Sequence, residues 1–219
     1  MGSEGAAGEP SVLRASARDV VPWRNGAGTT TVVAEGPPAE GGPATEPAWR
    51  ISIATIDRSA PFSEFAGVDR LLMPLSPAGL DLVIDGRRVR GEAFDVLPFA
   101  GESAVEAVDV RGTGLDLNLM TRRGSAAGTL VARHLDGELT LGSPSAASSD
   151  QTSASTSAWT VVVVLEGHVM SLAHGPFIVH DAVLVPPGGA LQVIGRAAVI
   201  ARAVIEPTRA SSANMLDRL

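Results

Sequence analysis

The sequence predicts an all-β protein. Short runs of Val, Ile, Leu and Thr recur along its 219 residues, and each run is bounded by Gly, Pro or Asp. No long window keeps apolar residues three and four positions apart, which is the spacing of an amphipathic helix. Many short strands at regular intervals are typical of barrels and jelly rolls, in which the edge strands are paired or covered.

Each strand is predicted where such a run lies between two turn signals. In chain order the predicted strands are Val12–Val20, Thr29–Ala34, Trp49–Ile56, Val68–Leu75, Leu80–Ile84, Ser103–Val110, Leu115–Thr121, Thr129–Leu135, Trp159–Leu165, Val169–Ala173, Phe177–Val185, Leu191–Ile194 and Val199–Ile205.

Two segments interrupt this pattern. Residues 35–48 hold four Pro and three Gly in 14 positions, and we expect a long hairpin excursion there. Residues 143–158 hold seven Ser and two Thr in 16 positions, a composition typical of a flexible linker. This linker separates a predicted N-terminal half, 11–142, from a predicted C-terminal half, 159–206, and the remaining residues 207–219 form a tail.

A weak internal repeat indicates that the two halves have similar folds. The segment LDLVIDG at 80–86 resembles VVVVLEG at 161–167, since each is an apolar strand that ends in an acidic residue and Gly. A repeat of this kind indicates duplicated units when its period persists along the chain.

The composition excludes several kinds of chemistry. The chain has 24 acidic and 17 basic residues, a net charge of −7 that disfavours nucleic-acid binding. All of the basic residues are Arg, so lysine Schiff bases and P-loop lysines are excluded. The absence of Cys excludes thiol nucleophiles and zinc–thiolate sites.

The location predicted from the sequence is cytoplasmic. The first ten residues, MGSEGAAGEP, carry neither the positive charge nor the apolar stretch of a signal peptide. The longest apolar runs are far shorter than the roughly 20 residues that cross a bilayer, so no membrane association is expected.

Two predicted strands carry polar residues on one face. In WRISIATI the two-residue period of a strand places Arg50 and Ser52 on the same side, and in LDLNLM it places Asp116, Asn118 and Met120 together. If both faces point into the protein, their polar groups need partners, and we expect Arg50 to pair with Asp116 while Asn118 bridges them. The alternative is a solvated outer face.

A glycine-rich turn, WRNGAGTT, offers a second group of binding residues. Trp23 could form an apolar wall, Arg24 and Asn25 could donate hydrogen bonds to a carboxylate, and Thr29 begins the next strand. The alternative is an ordinary Asn-Gly turn with Trp23 in the core. Arg70, at the start of another strand, either contacts a ligand or anchors a loop.

No metal site or cofactor is predicted. His168, His174 and His180 are evenly spaced, but His174 lies in a turn between the strands of the other two and should point away from them. The segment HDAVLVPPGGALQVIG at 180–195 resembles the second motif of cupin barrels. The His of metal-binding cupins is missing there, because the corresponding position is near Ala190.

Four ordered motifs carry a more specific resemblance. They are VPWRNGAGTTTVVA at 21–34, WRISIATI at 49–56, PFSEFAGVDR at 61–70 and GLDLNLMTRR at 114–123. Together they resemble the HutD/Ves family. This resemblance implies a fold of two cupin barrels, a bicupin, and for HutD members an association with bacterial histidine utilisation. It implies no well-established catalytic activity.

We therefore expect a metal-free bicupin that binds a small anionic metabolite, similar to urocanate or formylglutamate, and acts as a sensor or modulator. Two alternatives stay open: a metal-independent enzyme in which Asp116 or a His acts as general acid or base, and an interaction protein without a ligand. Binding is expected ahead of catalysis, and a homodimer is left open. The expected ligand-binding residues are Trp23, Arg24, Asn25, Thr29, Arg50, Ser52, Arg70, Asp116, Asn118 and Met120.

Overall fold

A computed structural model describes residues 8–23, 28–39, 46–142 and 157–208. Within these ranges the chain forms sixteen β-strands, one 3₁₀ turn and no α-helix, which confirms the all-β prediction. No helix that could cross a membrane is found in the described part of the chain. The strands are β1 (Ser11–Leu13), β2 (Val20–Pro22), β3 (Gly28–Glu35), β4 (Trp49–Ile56), β5 (Ala60–Pro61), β6 (Val68–Pro74), β7 (Leu80–Ile84), β8 (Arg87–Gly91), β9 (Leu97–Ala100), β10 (Val105–Val108), β11 (Gly114–Arg122), β12 (Ala126–Gly142), β13 (Trp159–Ser171), β14 (Gly175–Phe177), β15 (Ala182–Val185) and β16 (Ala190–Pro207).

The strands form three antiparallel sheets. Sheet I has six strands in the order β2-β3-β4-β11-β6-β9, and sheet II has four in the order β5-β10-β7-β8. Sheet III has the order β1-β15-β13-β16-β12, with β14 beside β13. No sheet closes on itself among the described strands, so the predicted pair of similar closed barrels is not confirmed.

Sheet I is buried on both faces, and its two faces differ in chemistry. Ile51, Ile53, Leu117 and Leu119 point to one side and belong to an apolar cluster with residues of sheet III, such as Val163. The residues between them in sequence point to the other side, which packs against sheet II through Leu72, Leu97, Leu82, Val105 and Ala107. The strand period therefore places the polar positions of β4 and β11 between sheets I and II.

Sheet III also packs apolar side chains on both faces. Val161 and Val163 belong to the cluster shared with sheet I, whereas Val162 and Val164 belong to a separate apolar cluster on the opposite face. A strand buried on both sides reads as an uninterrupted apolar run, which explains the sequence VVVVL.

Three strands of sheet III are longer than predicted: β12 extends beyond both ends of the predicted Thr129–Leu135, and β13 and β16 each join two predicted strands. The runs on either side of Glu166 form one strand, β13, and the runs on either side of Gly195 form one strand, β16. The pairing of β13 with β16 shifts register on both sides of Glu166, next to Gly167, whose φ is +73°. A bulge that uses this conformation bends the strand without ending it, so the turn signals were mistaken for strand ends.

The predicted division at 143–158 does not separate the sheets. Both β1 and β12 fall within the predicted N-terminal half, 11–142, yet both belong to sheet III. The predicted first strand, Val12–Val20, is in fact β1, a 3₁₀ turn and β2, because the chain passes there from sheet III to sheet I. Of the predicted linker only residues 157 and 158 are described, and of the tail only Pro207 and Thr208.

The segment in which the chain passes from sheet III to sheet I is held by hydrogen bonds to the buried carboxylate of Asp181. Its Oδ2 accepts hydrogen bonds from Nη1 of Arg14 at 2.7 Å and from the backbone N–H of Ile178 at 3.2 Å. Its Oδ1 accepts one from the backbone N–H of Ala15 at 2.8 Å. One side chain thus ties the first strand to the chain just before β15.

Replacing this carboxylate tests the tie. Asp181→Ala leaves the two backbone donors and the Arg14 guanidinium without their acceptor, and we expect a loss of about 3 kcal/mol in the free energy of unfolding, at about 1 kcal/mol per hydrogen bond. Urea unfolding measures it. Asp57→Ala is the control, because Asp57 is exposed and pairs with the neighbouring Arg58, and it should leave the unfolding midpoint unchanged. Equal midpoints for the two variants would contradict this role.

Candidate functional site

The central strands of sheet I bring polar residues together between sheets I and II. Asn118 in β11 lies opposite Ser52 in β4, and Met120 lies opposite both Arg50 in β4 and Arg70 in β6. Paired residues of adjacent strands point to the same face. The group is called here the polar cluster, and its members are Arg50, Ser52, Arg70, Asp116, Asn118 and Met120.

A chain of hydrogen bonds runs through the polar cluster. Nη2 of Arg70 donates to Oδ1 of Asn118 at 2.8 Å, and Nδ2 of Asn118 donates to Oδ1 of Asp116. The exposed fractions are 7% for Arg70, 4% for Asn118 and 1% for Asp116. The amide of Asn118 therefore joins a buried cation to a buried carboxyl group.

The cation in this chain is Arg70, and the predicted pairing of Arg50 with Asp116 is wrong. Nη2 of Arg50 instead donates a long hydrogen bond, 3.5 Å, to Sδ of Met120. The register places both guanidinium groups beside Met120, but the buried Arg70 leans along the strand toward Asn118 while the half-buried Arg50 stays beside Met120. The predicted bridging position of Asn118 is confirmed, with a different cation.

Three phenylalanine rings surround the guanidinium of Arg70. Its Cζ lies 4.8 Å from the ring centre of Phe99, 5.3 Å from that of Phe62 and 5.6 Å from that of Phe65. Cζ of Arg50 lies 5.9 Å from the same Phe65 ring. The negative faces of aromatic rings attract a cation and replace part of the water that it loses on burial.

Burial changes the protonation of the polar cluster. It raises the pKa of Asp116 to about 7, against the opposing effects of the Arg70 charge and the hydrogen bond from Asn118. It also lowers the pKa of Arg70 to about 10, an effect that the charge of Asp116 opposes and that of Arg50 reinforces. The cluster therefore holds two arginine side chains and one carboxyl group whose ionisation is disfavoured by burial.

Three polar atoms of the cluster have no hydrogen-bond partner within the described residues. They are Nε of Arg50, Nε of Arg70 and Oδ2 of Asp116, and all three are buried. Buried polar atoms are normally paired, and leaving one unpaired costs about 1–3 kcal/mol. Within the described residues, the cluster therefore has two guanidinium N–H donors and one carboxyl oxygen that take part in no hydrogen bond.

The other predicted binding residues lie in different places. Nε1 of Trp23 donates to Oγ1 of Thr30 at 2.6 Å, and its ring packs edge-on against Phe62. Thr30 pairs with Ala54 and so shares the face of the polar cluster, whereas Thr29 points to the opposite face. The face of Thr30 depends on the register between β3 and β4, which the sequence of neither strand specifies. Arg24 and Asn25 lie outside the described residues.

A cavity of about 510 Å³ opens where β4 ends and β11 begins. Asp116 is among its lining residues, so the polar cluster reaches the cavity through this side chain. The lining also includes the apolar Ile56, Leu80 and Val110 and charged residues of the β7–β8 hairpin. Sequence reasoning missed this cavity, because its walls come from segments far apart in the chain.

No set of three or more His, Asp or Glu side chains that could hold a metal ion is found in the described ranges. His168 and His174 are exposed, and His180 is half-buried with a φ of +70°. The three histidines that the spacing drew attention to therefore do not form a common site.

Comparison with known proteins shows which proteins this chain is similar to. An uncharacterized 21.2 kDa protein from the hutC 3′ region of Pseudomonas putida is 37% identical over 114 residues, which cover 50% of this chain and 56% of that protein. Protein Ves of Citrobacter koseri is 38% identical over 108 residues, which cover 46% of this chain and 52% of that protein. The matches thus span about half the length of these curated relatives.

The fold and the family model extend the similarity over most of the chain. The structure of HutD from Pseudomonas fluorescens SBW25 superposes with a TM-score of 0.71 at 25% identity, and covers 90% of this chain and 98% of that one. The sequence model of the HutD family matches residues 15–200. This protein, with its all-β fold, belongs to the HutD family.

Proposed function

We propose that this protein is a metal-free bicupin that binds a small carboxylate metabolite at the polar cluster. The observation that carries the proposal is the charge balance between sheets I and II. Within the polar cluster Arg50 and Arg70 accompany one carboxyl group, Asp116, whose pKa is raised by burial to about 7, while Glu35, opposite Arg50 in β3, is exposed to solvent. Bound carboxylate would supply the missing negative charge, and its oxygens would accept hydrogen bonds from the guanidinium groups.

Among the described residues, each of the two arginines has one guanidinium donor that is not used in a hydrogen bond. The Nε atoms of Arg50 and Arg70 are both without a partner in the described structure. The Nε edge of a guanidinium is one of the edges that bind a carboxylate with two parallel hydrogen bonds. Arg50 is only half-buried, so it offers an approach from the surface, and the Phe65 ring that touches both guanidinium groups forms an apolar wall.

The family supports a class of metabolite. HutD proteins take their name from the histidine-utilisation genes, and the Pseudomonas putida relative lies in the hutC 3′ region. We therefore propose that the ligand is an anionic intermediate of histidine breakdown, similar to urocanate or formylglutamate, and that the protein acts in the cytoplasm as a sensor or modulator of that pathway.

Substitution of the more accessible arginine tests the proposal. Arg50→Ala removes one guanidinium and leaves the Arg70–Asn118–Asp116 chain in place, so we expect at least tenfold weaker binding, or about 1.4 kcal/mol, with the unfolding midpoint unchanged. Isothermal titration with urocanate, N-formylglutamate and glutamate measures it.

Arg87→Ala is the matched control for Arg50→Ala. Arg87 is exposed at the start of β8, so its removal deletes the same charge outside the polar cluster and should leave affinity unchanged. Wild-type affinity of Arg50→Ala for every acid that binds, or loss of the fold in this variant, would show that Arg50 has a structural role and would refute the assignment.

Asp116 supports a second candidate function, metal-independent acid–base catalysis. A carboxyl group with a pKa of about 7 both gives and takes a proton at neutral pH, and Asp116 lines a cavity that can hold a small molecule. Turnover of a carboxylate intermediate that is lost in Asp116→Asn, while binding persists, would favour this function over sensing.

The protonation of Asp116 also predicts how stability depends on pH. The carboxyl pKa is 3.8 in a model compound and about 7 in the fold, so the folded state holds the proton more tightly. Stability due to this residue is therefore full below about pH 4 and is lost as pH rises to about 7. We expect wild type to lose stability relative to Asp116→Asn between about pH 4 and about pH 7 in urea unfolding. Parallel pH profiles would contradict the buried, protonated carboxyl group.

A further inference from the structure

The cavity at the end of sheets I and II has its own chemistry. At its floor lies Asp116, whose Oδ1 accepts the hydrogen bond from Asn118 and whose Oδ2 is buried without a partner in the described structure. The Arg50 end of the polar cluster lies four positions further along β11, beside Met120, which is roughly 13 Å away at the rise of a strand. The cavity is therefore separate from the carboxylate site proposed above.

Most of the charged groups at the cavity rim neutralise one another. Arg88 pairs with Asp109 at 2.6 Å and with Asp81 at 3.4 Å, and Arg90 pairs with Asp81 at 2.8 Å. Within the described ranges Arg111 also lines the cavity but makes no hydrogen bond or ion pair. The cavity thus has one unpaired carboxyl oxygen at its floor and one unpaired guanidinium at its rim.

The space between these two groups suits a small organic molecule. Its volume, about 510 Å³, falls within the roughly 300–1,000 Å³ of small-molecule sites. Ile56, Leu80 and Val110 supply apolar wall between floor and rim. A metal ion would find a single carboxylate at the floor, which is too few protein ligands for the cations that proteins bind.

We propose that this cavity is a second binding site, for a small zwitterion that donates an N–H from an ammonium, guanidinium or imidazolium group to Oδ2 of Asp116 and places its carboxylate against Arg111. The nitrogen group supplies the hydrogen-bond partner that the buried oxygen lacks. This site goes beyond the anion site of Arg50 and Arg70.

Matched probes test the two ends of the site. The zwitterions β-alanine, guanidinoacetate and imidazole-4-acetate are compared by isothermal titration with methylammonium, guanidinium, imidazole and acetate. We expect at least one zwitterion to bind more tightly than its nitrogen parent and than acetate. In Arg111→Ala, that zwitterion should bind no more tightly than its nitrogen parent. In Asp116→Asn, the zwitterion and its parent should both bind at least tenfold more weakly.

A second variant blocks the cavity without changing Asp116. Gly114 shares the face of Asp116 on β11, and a Cβ built there meets only Oγ of Ser76, at 3.8 Å. Leucine at this position fits the backbone and extends into the cavity, so Gly114→Leu should abolish zwitterion binding and keep the wild-type unfolding midpoint. Arg87→Ala serves again as the control on the neighbouring hairpin.

The two sites are distinguished by titrating each variant with both kinds of probe. Arg50→Ala should weaken urocanate and formylglutamate but not the zwitterion of the cavity, and Gly114→Leu should do the reverse. The cavity proposal is overturned if none of the three zwitterions binds, or if their binding survives Gly114→Leu or Asp116→Asn. Neither result would bear on carboxylate binding at Arg50, which is tested separately by Arg50→Ala.

Discussion

The burial of the Arg70 guanidinium between two β-sheets is the constraint on which the site depends. A charge that leaves water needs partners, and Arg70 obtains them from the Asn118 amide and from three phenylalanine rings. Those partners come from β9, β11 and the segment before β6, and Arg70 itself lies on β6, so one charge fixes the relative positions of several chain segments. The apolar contacts with sheet II then enclose the same region.

Sheet I can hold these charges because one of its faces is apolar and the other carries the polar residues. The Ile and Leu side chains of β4 and β11 that point toward sheet III form a continuous apolar layer, which supplies burial free energy. The opposite face is then free to carry Arg50, Ser52, Asp116 and Asn118. Because side chains alternate between the two faces of these strands, the polar cluster lies on one face and the apolar packing on the other.

The sequence was sufficient to predict which residues share a face but not which of them touch. Alternation alone placed Arg50 with Ser52 and Asp116 with Asn118, since it depends only on neighbours in one strand. The bond between Arg70 and Asn118 joins positions 48 residues apart and depends on β6 lying beside β11, which no local pattern specifies. The face of Thr30 likewise depends on the register of β3 with β4. The continuity of β13 and β16 was not predicted either, because bulges next to glycine resemble strand ends.

Stability alone does not account for the polar cluster. Apolar residues of similar size commonly stabilise a core as well as a buried ion pair does, because they avoid the desolvation of charge. Here the cost is increased further, since Arg50 and Arg70 share the polar cluster with one carboxyl group whose ionisation is disfavoured by burial, and three polar atoms lack partners in the described structure. A ligand that pairs those atoms would recover this cost on binding, and its affinity for the folded state would stabilise the protein by mass action. In the functions proposed above, this unfavourable charge balance is the physical basis for selective binding: one small molecule would supply the negative charge missing at Arg50, and another would supply the N–H donor missing at Asp116.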